Sequence, residues 1–552
     1  MNTPCFQIHL VSSLEKVFPD ESPLFWTPTE PVTVLTGEWF SFQTAIRWDG
    51  QQSKEITVEL DSPLDGLSWR VVELVPCELA VYPGHDDNYL RTTPGLYPDR
   101  LHRPKDGRFR LRSEQWRSIW IDVPKSGMPG DFPITVRIRE MEESILGECT
   151  LNLRRIPAKL PEQRLCCTQW LHTDCLSDYY HVPAFSEEHW RITENFVREA
   201  VRLGINMLYT PLVTPPLDTQ IGGERTTVQL LDIWVKNGTY RFGFERLHRW
   251  VKMGQRCGVR YFEMNHLFTQ WGAEHCPKIL AHADGEMKQI FGWKDDAAGP
   301  EYRAFLGALL PELTAHLREW GIADRTVFHL SDEPNAQHLE QYRTVRSIVE
   351  PLLAGFPIMD ALSNYSFYEQ GLVEKPICAT THIQPFLDAQ VPELWAYYCC
   401  GQYVDVSNRF FAMPSARNRI IGIQLYKYRI AGFLQWGYNF YNTQLSREKL
   451  DPYRVTDAGG AFPSGDAFSV YPGEDGTPEE SLRAVVFSQA IQDIQAFELL
   501  ESLTSREYVM QLVEGGLDAP LTFTVYPHEA AYLLELRQRI NEEIDRRTET
   551  RS

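Results

Sequence analysis

Two consecutive carboxylates, Asp332 and Glu333, close the mostly apolar run from Val327 to Ser331 and are followed at once by Pro334. Such a run reads as a strand. Proline suits the first turn of a helix, because its missing N–H would have no intrahelical partner there. The segment is therefore predicted as a strand, an acidic connection, and a helix from Pro334 towards Ile348. In an α/β barrel such a connection opens on the mouth where chemistry is done. Paired carboxylates there fit glycoside cleavage, or another reaction that needs an acid and a charge stabiliser. The structural alternative is a helix start, with Asp332 as N-cap and Glu333 complementing the helix dipole.

The elements that would position the pair follow from periodicity. Residues 1–158 carry short β-rich runs separated by Gly, Pro and Asp clusters, which predicts an N-terminal antiparallel β-sandwich. The basic stretch Arg100–Arg112 alternates around Asp106-Gly107 and reads as a β-hairpin. A long irregular piece from Gly84 to Arg103 interrupts the strands, and Arg154–Glu162 is the linker candidate. Beyond it strands and helices alternate. Strands are predicted at Leu165–Leu171, Ile205–Thr210, Val259–Leu267, Thr326–Leu330, Phe356–Leu362, Ile377–Ile383, Leu394–Cys399 and Gly432–Phe440, with a hairpin insertion at Thr226–Phe242. That set closes a (β/α)8 barrel over residues 159–505, and no glycine-rich phosphate turn favours an open doubly wound sheet. Leu533, Leu536, Ile540 and Ile544 stripe a helix in a C-terminal extension, 506–552, expected to pack on the barrel.

Strand ends then supply a rim of candidates. They are His266 and Trp271 after the third strand, the pair after the fourth, and Asp360 after the fifth. Trp395 and Tyr398 come from the seventh, and Trp436 and Tyr441 from the eighth. Aromatic faces suit sugar C–H surfaces, and His, amides and carboxylates suit hydroxyls, although each aromatic alone also suits core packing. Ordinary glycosidases set two carboxyls on opposite sides of the scissile bond. Adjacent residues cannot easily do so, and the predicted ends of the seventh and eighth strands hold no Asp or Glu. Two chemistries stay open. In one, the sugar's own 2-acetamido oxygen attacks while Asp332 orients it and Glu333 protonates the leaving oxygen. In the other, Glu333 is the acid and Asp360 a remote nucleophile. A non-catalytic sugar-binding protein is the third reading.

Composition narrows the partners. The 552 residues carry a formal net charge of −20, which argues against nucleic acid or an anionic membrane as the main partner. No signal peptide and no transmembrane-length apolar run is found, so a cytoplasmic location is expected. The eleven cysteines do not resemble a disulfide framework, and their adjacent pairs lie in apolar runs, which fits reduced thiols. No zinc-site spacing, phosphate loop or nucleophile elbow occurs, so neither metal nor cofactor is expected. His329 reads as a hydrogen-bonded histidine of the barrel interior. Self-association is left open.

The strand-ending Asp332-Glu333, the preceding β-domain, and the late motif Gly465-Asp466-Ala467-Phe468 with Tyr471-Pro472-Gly473 and Ser481-Leu482-Arg483 resemble glycoside hydrolase family 123. That family contains β-N-acetylgalactosaminidases that use substrate assistance through a consecutive Asp-Glu pair. The resemblance implies a substrate bearing a 2-acetamido sugar, with Asp332 as acetamido stabiliser and Glu333 as general acid/base. It further implies a tyrosine on the acetamido oxygen, Tyr398 with Tyr441 in reserve, and sugar stacking by Trp271, Trp395 and Trp436. Arg483 and Asp493 match recurrent positions of the last helix, where an internal ion pair is the competing role. His266 and the segment Gln270–Gly272 match relatives of unassigned activity.

Overall fold

In the computed structural model, which describes residues 5–140 and 144–549, strand alternation decides the first part of the chain. Residues two apart share a strand face. Phe42, Ile46, Ile119 and Ile121 from one five-stranded sheet meet Ile56, Ile134, Val136 and Leu151 from another in a single buried cluster. Pairing between these strands is antiparallel except at Val32–Thr36, which runs parallel to Ser144–Lys159, and one isolated bridge, Trp48 with Ser113, is also parallel.

Two expectations fail here. Gly95–His102 pairs with Ser68–Cys77 in one sheet, while Arg108–Leu111 pairs with Lys54–Asp61 in the other. The Asp106-Gly107 turn is therefore a crossing between sheets and not a hairpin. Alternation reports a half-buried strand but not its partner. The supposed linker is likewise strand as far as Lys159. Arg155 is fully buried and donates to the carbonyls of Pro124 and Ser126. Its charge made the segment look exposed, whereas the guanidinium works as an internal donor.

Eight parallel strands follow: β1 (Cys166–Gln169), β2 (Met207–Thr210), β3 (Tyr261–Met264), β4 (Thr326–Phe328), β5 (Met359–Leu362), β6 (Lys375–Ala379), β7 (Trp395–Tyr397) and β8 (Gly432–Gln435). They lie in the order β4-β3-β2-β1-β8-β7-β6-β5, so the sheet nearly closes on itself. Between β4 and β5 only one bridge forms, Phe328 with Ile358. Along this seam a side chain and exit segments replace the ladder. The Leu330 N–H donates to Asp360 Oδ1 at 2.9 Å, and the Glu333 N–H donates to the Ala361 carbonyl at 3.1 Å. The expected hairpin insertion is present as Asp232–Lys236 and Thr239–Gly243. A second hairpin, Ile279–Ala283 with Glu286–Phe291, widens it to four strands.

Buried ion pairs join barrel, sheets and C-terminus. Arg483, in the last barrel helix Leu482–Leu503, holds both oxygens of Asp99 and the carbonyls of Gly465 and Phe468. Asp493 of the same helix accepts from Arg419 and from Arg537, and Arg537 also reaches Glu38. Both recurrent helix positions are thus internal ion pairs. The irregular segment before Gly95 lies on the barrel, where Asp86 binds Arg417 through both guanidinium ends at 2.8 and 2.7 Å. Leu533, Leu536, Ile540 and Ile544 are buried, and their helix, Ala530–Glu549, packs between the last barrel helix and the sheet edge, with Asn541 donating to the Thr33 carbonyl. Among the described residues no helix is long and apolar enough to cross a membrane.

Trp395 fills the N-terminal end of the barrel over Gly432, to which it is paired across β7 and β8. A Cβ at Gly432 would overlap its indole. Gly432→Ala is expected to lower stability by about 1–3 kcal/mol, the usual cost of overpacking a tight core. Chemical denaturation measures the loss, and Gly95→Ala, another strand glycine whose added Cβ would meet nothing nearer than Tyr97 at 3.9 Å, separates this overlap from the backbone effects of replacing glycine.

Candidate active site

The exits of β3 and β4 hold each other. Leu267 and Phe268 donate to the carbonyls of His329 and Leu330 at 3.1 and 2.9 Å, and Trp271 donates to that of Asp332 at 3.0 Å. Glu333 has φ 43, in the left-handed region. A helix cannot begin there, and the predicted start at Pro334 does not form. Asn335 caps instead, its side chain accepting from Gln337, before a short 3-10 turn and the helix Leu339–Val349. Asp332 and Glu333 are therefore not helix caps. Left-handed backbone costs a bulky residue about 1–2 kcal/mol and gathers where function requires it. Asp218, Trp271, Leu445 and Ser446, with φ of 42, 55, 60 and 51, also adopt it in loops at this mouth.

Beneath the pair lies a charged floor. His329 Nε2 is 2.7 Å from Glu263 Oε1, and its Nδ1 is 3.4 Å from Asp360 Oδ1, with all three residues buried. Burial opposes charge on the imidazole, but Asp360 and Glu263 outweigh it and hold His329 up at about 10. Glu263 also accepts from the Trp170 indole at 2.9 Å and from the Thr168 hydroxyl. Asp360 accepts from the Leu330 N–H and the Tyr342 hydroxyl. His266 stacks on His329 at 4.6 Å between ring centroids, and burial together with that neighbouring charge pushes its pKa well down. Donor atoms of His266, His329 and Asp360 lie within 4.8 Å of one another, as a metal site would need. Asp360 already accepts from Leu330 and Tyr342 and His329 carries a proton, which leaves His266 Nε2 as a buried nitrogen of the group without a partner.

Asp332 and Glu333 are part-buried and differ in their partners. Burial raises the Asp332 carboxyl well above the usual carboxylate range, and Glu333 and Asp360 raise it further, with His329 opposing. Among the described residues no side chain donates to the Asp332 carboxylate. Glu333 Oε1 accepts from the Tyr397 hydroxyl, which also lies 3.4 Å from Ser363 Oγ.

The rim candidates divide. Trp271, 46 % exposed, stands beside Asp332 through its backbone contact. Trp436 is half-buried after β8, its indole N–H donating to Asp466 Oδ2 at 3.0 Å. Asp360 lies in the seam, His266 in the floor, and Trp395 at the opposite end of the barrel. Tyr398 stands outside the strands, with its ring 4.9 Å from that of Phe433. Tyr441 is buried among the β8 loops and donates to the Val470 carbonyl. Neither tyrosine shares contacts with the pair, whereas Tyr397, the neighbour of Tyr398, does. Successive strand residues face opposite ways, so the choice between them was one of parity, and two adjacent tyrosines give no parity signal. Glu263, Trp170, Tyr209 and Asp218 were also missed. The first three lie within strands or directly at their ends, and Asp218 lies in a proline-rich loop.

His329 makes the floor sensitive to alkali. Its folded pKa of about 10 exceeds its ordinary 6.5, so the stabilisation it provides is complete below 6.5 and is lost as pH rises through 10. Melting temperature is expected to fall over that interval in the native protein. In His329→Gln it should start lower and stay nearly flat.

The profile of the glycoside hydrolase 123 catalytic domain matches residues 170–500, more than half of the chain. A family 123 glycoside hydrolase from Clostridium perfringens, solved in a study of glycolipid glycan hydrolysis, superposes with a TM-score of 0.73 at 15% identity, covering 98% of both chains. The Bacteroides ovatus GH5 xyloglucanase gives only 0.29 at 9% identity, covering 84% of this chain and 99% of its own. No curated protein matches. The chain belongs to glycoside hydrolase family 123, and its reaction class is glycoside hydrolysis.

Proposed function

We propose that the protein removes β-linked N-acetylgalactosamine with retention of configuration, the substrate's 2-acetamido group acting as nucleophile. One observation carries this reading. Asp332 is a part-buried carboxylate without a hydrogen-bond donor, beside a glutamate that a tyrosine holds in place. An acetamido N–H would supply the missing donor. The acetamido oxygen then attacks the anomeric carbon, the bond to the leaving oxygen breaks, and Glu333 gives that oxygen its proton. Water opens the resulting oxazolinium ion at the same carbon and returns a proton to Glu333. Asp332 stabilises the positive charge that develops on the acetamido nitrogen.

Asp360 is a poor nucleophile for the competing mechanism, because its oxygens are committed to Leu330, Tyr342 and His329. The galacto preference rests on the family resemblance. Trp271 and Trp436 are the aromatic surfaces best placed to stack on the sugar. The eleven unpaired cysteines suit the reducing cytoplasm expected for the protein.

A panel of aryl β-glycosides varied at C2 and C4 tests the reading. Turnover is expected only with the 2-acetamido group present, galacto faster than gluco, with strong inhibition by an N-acetyl-thiazoline. Glu333→Gln should lose about 10²–10⁴-fold in kcat on substrates with poor leaving groups. Rapid cleavage of glycosides that carry a 2-hydroxyl would overturn the mechanism.

The two tyrosines provide a sharper comparison. Tyr397→Phe removes a hydrogen bond to a charged partner and should cost about 10–100-fold in kcat/KM. Tyr398→Phe removes a buried hydroxyl that has no partner, and should leave kcat/KM within about twofold, without loss of stability.

A further inference from the structure

We infer that Asp218 is a sugar-binding residue of this site, accepting a ring hydroxyl of the substrate and so contributing to which sugar is taken. This rests on the reading of the site given above. Asp218 lies in the loop after β2, and three contacts tie that loop to the mouth. Gln270, next to Trp271, donates to the Thr219 carbonyl at 3.0 Å; Ser446 of the β8 loop donates to the Asp218 carbonyl at 2.7 Å; and Gln220 donates to the Leu445 carbonyl at 2.9 Å. Below it, the buried Arg225 grips Asp174 with two nitrogens at 2.8 Å and holds the Leu217 carbonyl at 3.0 Å. The backbone at Asp218 is therefore fixed from both sides, in a left-handed conformation with φ 42.

The carboxylate so presented is poorly served by its own protein. Its Oδ2 is buried without a hydrogen-bond partner, and its charge acts on Asp332 as repulsion. Burial raises its pKa to about 6, with the Leu445 N–H and the more distant guanidinium of Arg225 opposing. A carboxylate with one buried oxygen unpaired and a like-charged neighbour works against folding. It becomes favourable when a ligand brings an O–H donor and no charge, as a sugar hydroxyl does. A site built to bind a hydroxyl strongly rejects the analogue lacking it, because the polar group is left unpaired.

The test combines specificity with stability. Asp218→Asn is compared with the native enzyme on the preferred aryl glycoside and on its 3-, 4- and 6-deoxy analogues. The variant should lose about 10–100-fold in kcat/KM on the full sugar, and the loss should vanish on one of the three analogues. At mildly alkaline pH the variant should also melt at a higher temperature than the native protein, because the folded state no longer carries an unpaired buried charge. An equal loss on every analogue, no loss on any, or a lower melting temperature would overturn the proposal. If the native enzyme cleaves no 2-acetamido sugar, the reading of the site fails. Asp218 is then judged by the same deoxy comparison on whichever glycoside is cleaved.

Discussion

The imidazolium of His329, held between Glu263 and Asp360, is the interaction on which the rest of the barrel depends. A parallel sheet closes by backbone pairing, yet β4 and β5 share a single bridge. Asp360 spans the gap with its side chain, accepting from the Leu330 N–H on one strand exit and lying against His329. An isolated buried carboxylate would be costly. Glu263 on the other side completes a three-membered arrangement in which one positive charge serves two negative ones. The same group lies beneath Asp332, so the closure of the fold and the charge of the site are one piece of electrostatics.

That coupling accounts for the unusual backbone above it. The β4 exit cannot continue into a helix, because its next residues are bound to the exit of β3 and to β5 itself. Glu333 turns into the left-handed region and presents its carboxylate to Tyr397, while Asp332 keeps its own free. Two residues adjacent in the chain thereby acquire different surroundings. A pair of equivalent acids could not divide the labour of orienting one group and protonating another.

Much of this was legible in the residues alone. Apolar runs of strand length, alternating with helical stripes, marked all eight barrel strands, because each strand is buried on both faces. The acidic pair stood out because charge at the end of an apolar run needs a reason. What escaped depended on partners and parity. The alternation around Asp106-Gly107 is the same for a hairpin as for a sheet crossing, and Arg155 carries no mark of being buried. Tyr397 and Tyr398 are chemically equal until the inward face of β7 is known. The backbone of Glu333 is invisible in the sequence, since no glycine or asparagine announces it.

The pairing of Arg537 with Glu38, 499 residues apart, bears on how the molecule comes into being. A ribosome releases the N-terminal sheets long before the helix that covers their edge has been made. Until then Glu38 is left without its arginine, and the strand Val32–Thr36 lacks the side chains that bind its edge, Gln538 and Asn541. The domain that emerges first is thus among the last to be completed. A nascent chain stalled near its end would expose that edge, which is the kind of surface that chaperones bind and that drives aggregation.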